Sequence, residues 1–269
     1  MKKAYTLLLA LPMLFVSCGS DDSSDAPADN DVSVTDFLPL TTGSYWVYDT
    51  NSSTQSGRDS LYIANDTIIG GNTYDKFKTL ALPTGFYTGS LAENGVRKSG
   101  DKLLLSGSAQ LAFSEEFPLS IGVTDFVIFK ENTINGQALG STTGTIEQPY
   151  DGYVVKFDYT LSAKAKQDLA TYTVPGHPVY TNVKQVETSL NLKITAVFNF
   201  EGLQIPVNIM NDQKVLVSTQ FYAENIGVVH VVSDVNYTLA DMSALPIQLP
   251  IPQTGSEHQE EVLVHYNVE

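Results

Sequence analysis

Cysteine is almost missing from this sequence: Cys18 is the only one in 269 residues. A chain with one thiol has no internal disulfide framework. Basic residues are scarce too, 15 Lys and Arg against 30 Asp and Glu, for a formal net charge of −15 at pH 7. Nucleic-acid binding rests on clustered Lys and Arg that displace counterions, and the sequence holds no such cluster. The same acidity repels anionic headgroups, so the polypeptide face is a poor membrane binder, and its plain role is solubility. Beyond residue 17 no stretch reaches the roughly 18 consecutive apolar residues of a spanning helix. Catalytic signatures are scarce as well: there is no Gly-x-Ser-x-Gly and no His-x-x-x-His.

The N-terminus, by contrast, is ordered by function. Lys2 and Lys3 precede an apolar stretch from Ala4 to Val16, broken only by Tyr5 and Thr6, and then comes Ser17-Cys18. A positive start, a short apolar core and a small residue at the cut describe a secretory signal. Phe15-Val16-Ser17-Cys18 resembles the lipobox of bacterial lipoproteins, with Phe15 where leucine is commoner. That resemblance implies removal of residues 1–17, a diacylglycerol on the Cys18 thiol and an acylated new amine. Two or more acyl chains hold far more firmly than one, at about 0.8 kcal/mol per buried methylene. Residues 18–35 are acidic and small, with no large apolar side chain before Val32. They bury too little to offset ordering entropy and read as a flexible tether. Ser20-Asp21-Asp22 resembles the surface-export signal of Bacteroidota lipoproteins, which implies the cell surface over periplasm-facing retention at the outer membrane. The plainer reading is a spacer.

About 230 residues remain, enough for one large core, and residues 36–269 are expected to form a single β-rich domain. Strand-type alternation recurs through them. From Val186 to Phe200, the residues Leu190, Leu192, Ile194, Ala196, Phe198 and Phe200 share one face, while Glu187, Ser189, Asn191, Lys193, Thr195 and Asn199 share the other. Glu201-Gly202 is read as a hairpin turn, Asn211-Asp212 as a second turn, and Asn225 as a break before a strand from Ile226 to Val235. Tyr153, Val155, Phe157, Tyr159 and Leu161 repeat the pattern. Tyr45 to Tyr48, Ser60 to Ala64, Thr67 to Ile69, Tyr74 to Leu80, Gly95 to Lys98 and Lys102 to Leu105 add further strands. Gly70-Gly71 and Ser99-Gly100-Asp101 supply turns where positive φ is cheap. The only helix-like stretch is Ser162 to Tyr172, with Ser162 as a cap and helix-favouring Lys164, Lys166 and Gln167. The expected class is all-β and mainly antiparallel, a strongly curved sheet or half-barrel with at most one or two short helices. A β-sandwich is the alternative.

Leu40-Thr41-Thr42-Gly43-Ser44-Tyr45-Trp46-Val47-Tyr48 resembles the opening of a group of uncharacterised Bacteroidota lipoproteins. Val174-Pro175-Gly176 before Val179 to Lys184, and Phe221-Tyr222 before Ile226-Gly227-Val228-Val229, resemble two further elements of that group. The resemblance implies a fold like the lipoprotein-carrier (LolA/LolB-type) half-barrel, an analogy of fold that confers no function.

Few residues are candidates for chemistry. Tyr45, Trp46 and Tyr48 could stack on a sugar, but an opening aromatic strand more often faces the core. His177, His230, His258 and His265 lack metal-ligand spacing, and no metal or cofactor is expected. His230 sits among valines and reads as a strand residue on the wetter face. Glu115-Glu116 and Glu260-Glu261 are neighbours that point opposite ways in extended chain. The tether acids Asp21, Asp22, Asp25, Asp29 and Asp31 lack a calcium-loop geometry. Asp59-Ser60-Leu61 and Asp66-Thr67-Ile68 resemble the O-glycosylation signal of exported Bacteroidota proteins, which would place glycans on Ser60 and Thr67. The expected function is a lipid-anchored envelope lipoprotein with a non-enzymatic binding or accessory domain for a small molecule, glycan or protein. The alternative is a glycan- or lipid-acting hydrolase whose residues converge from separate strands. Cys18→Ala is expected to abolish palmitate labelling and shift the protein out of the detergent phase; unchanged labelling and partitioning would end the lipobox reading.

Overall fold

Leu190, Leu192, Ile194 and Ala196 are each no more than 2 % exposed, and Lys193 between them is exposed. A two-residue period of this kind lets a strand cover a core with one face and meet water with the other. The computed structural model describes residues 35–112, 118–200, 203–241 and 251–269, with the side chains of 109–112, 118, 199 and 200 excepted. The signal, Cys18, the tether up to residue 34, Glu115-Glu116, the Glu201-Gly202 turn and the Phe200 side chain lie outside the described residues.

The elements in chain order are β1 (Tyr45–Ser52), β2 (Ser56–Ile69), β3 (Asn72–Thr79), α1 (Phe86–Leu91), β4 (Gly95–Ser99), β5 (Lys102–Ala112) and β6 (Pro118–Lys130). There follow β7 (Ala138–Tyr150), β8 (Tyr153–Thr173), β9 (Val179–Phe200), β10 (Leu203–Ala223), β11 (Gly227–Thr238) and β12 (Thr254–Asn267). They form one antiparallel 12-stranded sheet in the order β6-β5-β4-β3-β2-β1-β12-β11-β10-β9-β8-β7. Every consecutive pair is laddered except β6 and β7, and β1 pairs with β12. The sheet therefore curls into a nearly closed barrel whose two edges, β6 and β7, face each other. This is the curved-sheet expectation; the sandwich is not adopted.

Three local expectations are corrected. Ser162 to Tyr172 is strand, not helix: it lies in β8, paired with β9 along the stretch and with β7 as far as Lys164. Leu161, Ala163 and Ala165 are buried while Lys164 and Lys166 reach across to Glu187 of β9 at 2.8 and 3.0 Å. Strand pairing overrides the local helix preference of Ala, Lys and Gln. Asn211-Asp212 is not a turn, because β10 runs through it with register irregularities between Asn208 and Gln213. Ile209 and Met210 are both buried there, as expected where an extra residue breaks the alternation. The stretches 60–64 and 67–69 are parts of the single strand β2, which carries an irregularity between Ile63 and Asn65.

Antiparallel order sorts the strand ends. Ser52, Thr79, Tyr150 and Thr238 end at one rim, with α1 following β3 there. Ile69, Ser99, Lys130, Thr173 and Ala223 end at the other. The chain enters at this second rim, where the Asp36 carbonyl accepts from Asn225 N at 2.5 Å and its carboxylate pairs with Lys98. Phe37 stacks on Phe129, and Leu38 is buried. Inside, Trp46 and Tyr48 are fully buried; the indole N–H donates to Ile226 O at 2.6 Å and the Tyr48 hydroxyl to Val228 O at 2.8 Å. The core residues all lie within Thr35–Glu269, a compact unit with its own interior.

Register on β9 is directly testable. Ile194→Asp buries an unpaired carboxylate and is expected to cost several kcal/mol out of a total of about 5–15. Lys193→Asp is expected to stay within about 0.5 kcal/mol. Equal denaturation midpoints for the two variants would mean that this face does not cover a closed core.

Candidate functional site

α1 has no cap of its own. Its preceding residue is Gly85, with no side chain to cap it, and a short helix leaves its first backbone N–H groups without internal partners. Those donors are met by side chains from strands distant in sequence. Gly85 N donates to Asp59 at 2.7 Å, Phe86 N to Gln259 at 2.8 Å, and Tyr87 N and Thr88 N to the two Glu261 oxygens at 2.5 and 3.1 Å. Asp59 also accepts from Thr84 N and from the Thr88 hydroxyl, at 3.0 and 2.5 Å. Gln259 returns a bond to Thr84 O at 2.9 Å. Asp59 and Glu261 come from β2 and β12, the two neighbours of β1, and both are almost fully buried. Burial pushes the Glu261 carboxyl up to about 7, against the opposing pull of the Tyr87 and Thr88 N–H groups. There is no room at Gly85 for anything larger, since a Cβ there would lie 2.1 Å from Glu261 Oε2.

This cradle holds α1 across the interior, and a cavity of about 50 Å³ lies beneath it. Phe86, Tyr87 and Leu91 of α1 form one wall; Leu105, Val123, Phe126 and Ile128 of β5 and β6 form another. Leu161, Thr188, Gln220 and Tyr222 complete it from β8, β9 and β10. Among the described residues, no charged side chain lines this space. Gln220 is already engaged, accepting from Thr188 at 3.3 Å and donating to Ser218 at 2.8 Å. Tyr87 differs: its ring packs edge-on against Tyr48 at 5.9 Å, and its buried hydroxyl has no hydrogen-bond partner among the described residues. Desolvation holds that phenol well above its usual pKa, so it remains a neutral donor.

Other polar clusters lie apart from the cavity and pair among themselves, except that the buried His230 Nε2, 3.8 Å from Glu260, has no hydrogen-bond partner among the described residues. Asp125 of β6 accepts both Arg97 N–H groups at 2.9 Å and the Tyr74 hydroxyl at 2.5 Å, and Arg97 holds its carboxyl below the usual range. Glu187, buried among Lys164, Lys166 and Lys214, is pushed up by desolvation but brought below its usual value by Lys164 and Lys166. Three of the four histidines converge from distant positions. His230 is buried rather than wet, stacked on Phe221 and 2.6 Å from the Tyr172 hydroxyl. Burial lowers its pKa, with Glu260 pulling the other way and His177 and His258 adding to the depression. His258 lies 2.7 Å from Asp234, which raises its pKa, and 3.5 Å from Glu260. Among the described residues, no group of three acidic, His or Cys side chains is placed to hold a metal ion.

The residues singled out from sequence are dispersed. Trp46 and Tyr48 are core, and Tyr45 faces outward, 2.9 Å from His265. Glu260 and Glu261 do point opposite ways, one to the histidines and one to α1. Ser60 is half-buried in β2 opposite Val47, and its neighbours Asp59 and Leu61 are buried. Thr67 is half-buried opposite Tyr74. Sequence reasoning missed Asp59 as a cradle residue, Gln259 and Tyr87, because their partners lie 25 to 175 positions away. Neither a family model, nor a curated protein, nor a solved structure matches the chain.

The cradle predicts a pH signature. A carboxyl whose folded pKa exceeds its unfolded value keeps its proton longer in the folded state. Stability from Glu261 is therefore full below about 4.5 and falls as pH rises towards 7. Relative to Glu261→Gln, which does not titrate, the native protein is expected to lose on the order of 3 kcal/mol over that window. Parallel pH–stability curves would refute the assignment. Gly85→Ala is expected to cost about 2–4 kcal/mol by displacing Glu261.

Proposed function

We propose that this protein is a non-enzymatic, lipid-anchored binding protein of the outer envelope, related to the uncharacterised Bacteroidota lipoproteins that its opening strand resembles. It holds an uncharged, mainly apolar molecule in the interior beneath α1. The observation that carries this reading is the Tyr87 hydroxyl, buried without a partner in the wall of an uncharged cavity. Leaving such a group unsatisfied costs about 1–3 kcal/mol, and a ligand carbonyl or hydroxyl offers the missing bond. The layout supports the same reading. Apolar side chains fill the inside of the sheet, the reverse of a membrane-spanning barrel with a polar lumen.

The hydrolase alternative has its nearest carboxylate pair in Asp59 and Glu261. Both are committed to the backbone of α1 and are shut off from solvent, which favours a structural over a catalytic role. Glycans on Ser60 and Thr67 remain part of the proposal as surface modification, separate from the binding site.

Prodan, a neutral naphthalene with one carbonyl, is a suitable probe because its emission shifts when it leaves water. Saturable blue-shifted binding to Thr35–Glu269 is expected. Tyr87→Phe should stabilise the empty protein by about 1 kcal/mol and weaken prodan binding about five- to tenfold. A Tyr87→Phe protein that binds as tightly as the parent would remove the hydroxyl from the site, and no saturable binding by either protein would refute the binding reading.

A further inference from the structure

The cavity beneath α1 is too small as it stands. At about 50 Å³ it is well below the roughly 150 Å³ that admits a benzene ring. A ligand therefore needs a wall that yields. α1 is pinned by Asp59, Gln259 and Glu261, and every strand but two is hydrogen-bonded to neighbours on both edges. The exceptions are β6 and β7, which face each other without a ladder.

The seam between these strands leads to the cavity. A groove of about 400 Å³ is lined by Gly122 to Val127 of β6 and by Gly140, Ser141 and Thr142 of β7. Val123 and Phe126 line both the groove and the cavity, so the two spaces are separated by the same side chains. The strands approach closely at Gly140, where a Cβ would lie 3.2 Å from both the backbone N and O of Val127.

The two flanks differ in how firmly they are held. β6 is laddered to β5 and is tied to β3 and β4 as well, through the bonds from Tyr74 and Arg97 to Asp125. β7 is laddered only to β8, and none of its 13 residues is buried. Leu139, Ile146 and Tyr150 pack against the core only partly buried, and the stretch Gly140-Ser141-Thr142-Thr143-Gly144 is small and polar. Few buried contacts and a single ladder mark a segment of low local stability.

We propose that β7 is a lateral flap, and that a neutral apolar ligand reaches the α1 cavity through the β6–β7 seam as β7 swings away from Val127. This rests on the binding reading above and names its route. Replacing both Val127 and Gly140 by Cys in Thr35–Glu269 introduces the only two thiols of that unit and allows the seam to be locked by oxidation. Stopped-flow mixing with prodan is expected to show loading at least tenfold slower in the oxidised form, with the rate restored by reductant. Gly140→Val, which wedges the strands apart, should load several-fold faster than the parent. Equal rates for oxidised and reduced protein would overturn the flap while leaving the binding site standing; no saturable binding by the parent would overturn both. Hydrogen exchange on the unmodified protein gives a readout free of any folding defect. β7 amides should exchange at least a hundredfold faster than those of β9, and equal protection of the two strands would overturn the flap.

Discussion

β1 is hydrogen-bonded to β2 on one side and to β12 on the other, and this pairing of the first strand with the last sets the terms for everything inside the sheet. Closing so long a loop is entropically unfavourable, but the cost grows only logarithmically with length. It is offset by burying Trp46 and Tyr48 completely and by their hydrogen bonds to the β10–β11 turn and β11. Once β1 is flanked in this way, Asp59 stands opposite Tyr48 on one side of it and Glu261 opposite Thr50 on the other. The carboxylates then converge on the first turn of α1. A six-residue helix with no capping side chain of its own is marginal in isolation. Here it exists because the strand closure delivers its acceptors.

The interior follows from that placement. α1 bridges the rim and keeps the side chains of β5, β6, β8, β9 and β10 from closing on one another, which leaves the small uncharged cavity. A more complete barrel would have collapsed it. The even number of strands makes β6 and β7 antiparallel, so direct pairing between them is geometrically allowed. They nevertheless form no ladder, although Gly140 lies close against Val127. Asp125, with φ of 51° and its carboxylate held by Arg97 and Tyr74, bends β6 beside the groove and fixes it to the neighbouring strands. The opening is thus bounded by one braced strand and one lightly held strand.

Much of the sheet was legible as alternation. β9 was read on the correct face because Leu190 to Ala196 switch strictly with polar neighbours. The hairpins at Gly70-Gly71 and Ser99-Gly100-Asp101 were legible because glycines occupy positive φ there. The errors have equally local causes. Ala163, Lys164, Ala165 and Lys166 satisfy a helix preference and a strand alternation together, and only the flanking β7 and β9 decide between them. Asn211-Asp212 carries turn chemistry, but β9 supplies the pairing that carries β10 through as an irregular strand. α1 was invisible because its cap is made by Asp59, Gln259 and Glu261, none of which is near it in sequence.

By itself, the sequence determined what needs only local chemistry: strand periodicity, an acidic and nearly cysteine-free composition, and the opposite facing of Glu260 and Glu261. The tertiary structure alone decided that the sheet closes through β1 and β12 and stays unpaired at β6 and β7. It decided that two buried carboxylates serve a helix N-terminus, and that the Tyr87 hydroxyl is left without a partner beside a cavity. These outcomes depend on which strands become neighbours. Pairing is settled by the summed energy of whole ladders and cores, and that sum is not written in any single stretch of residues.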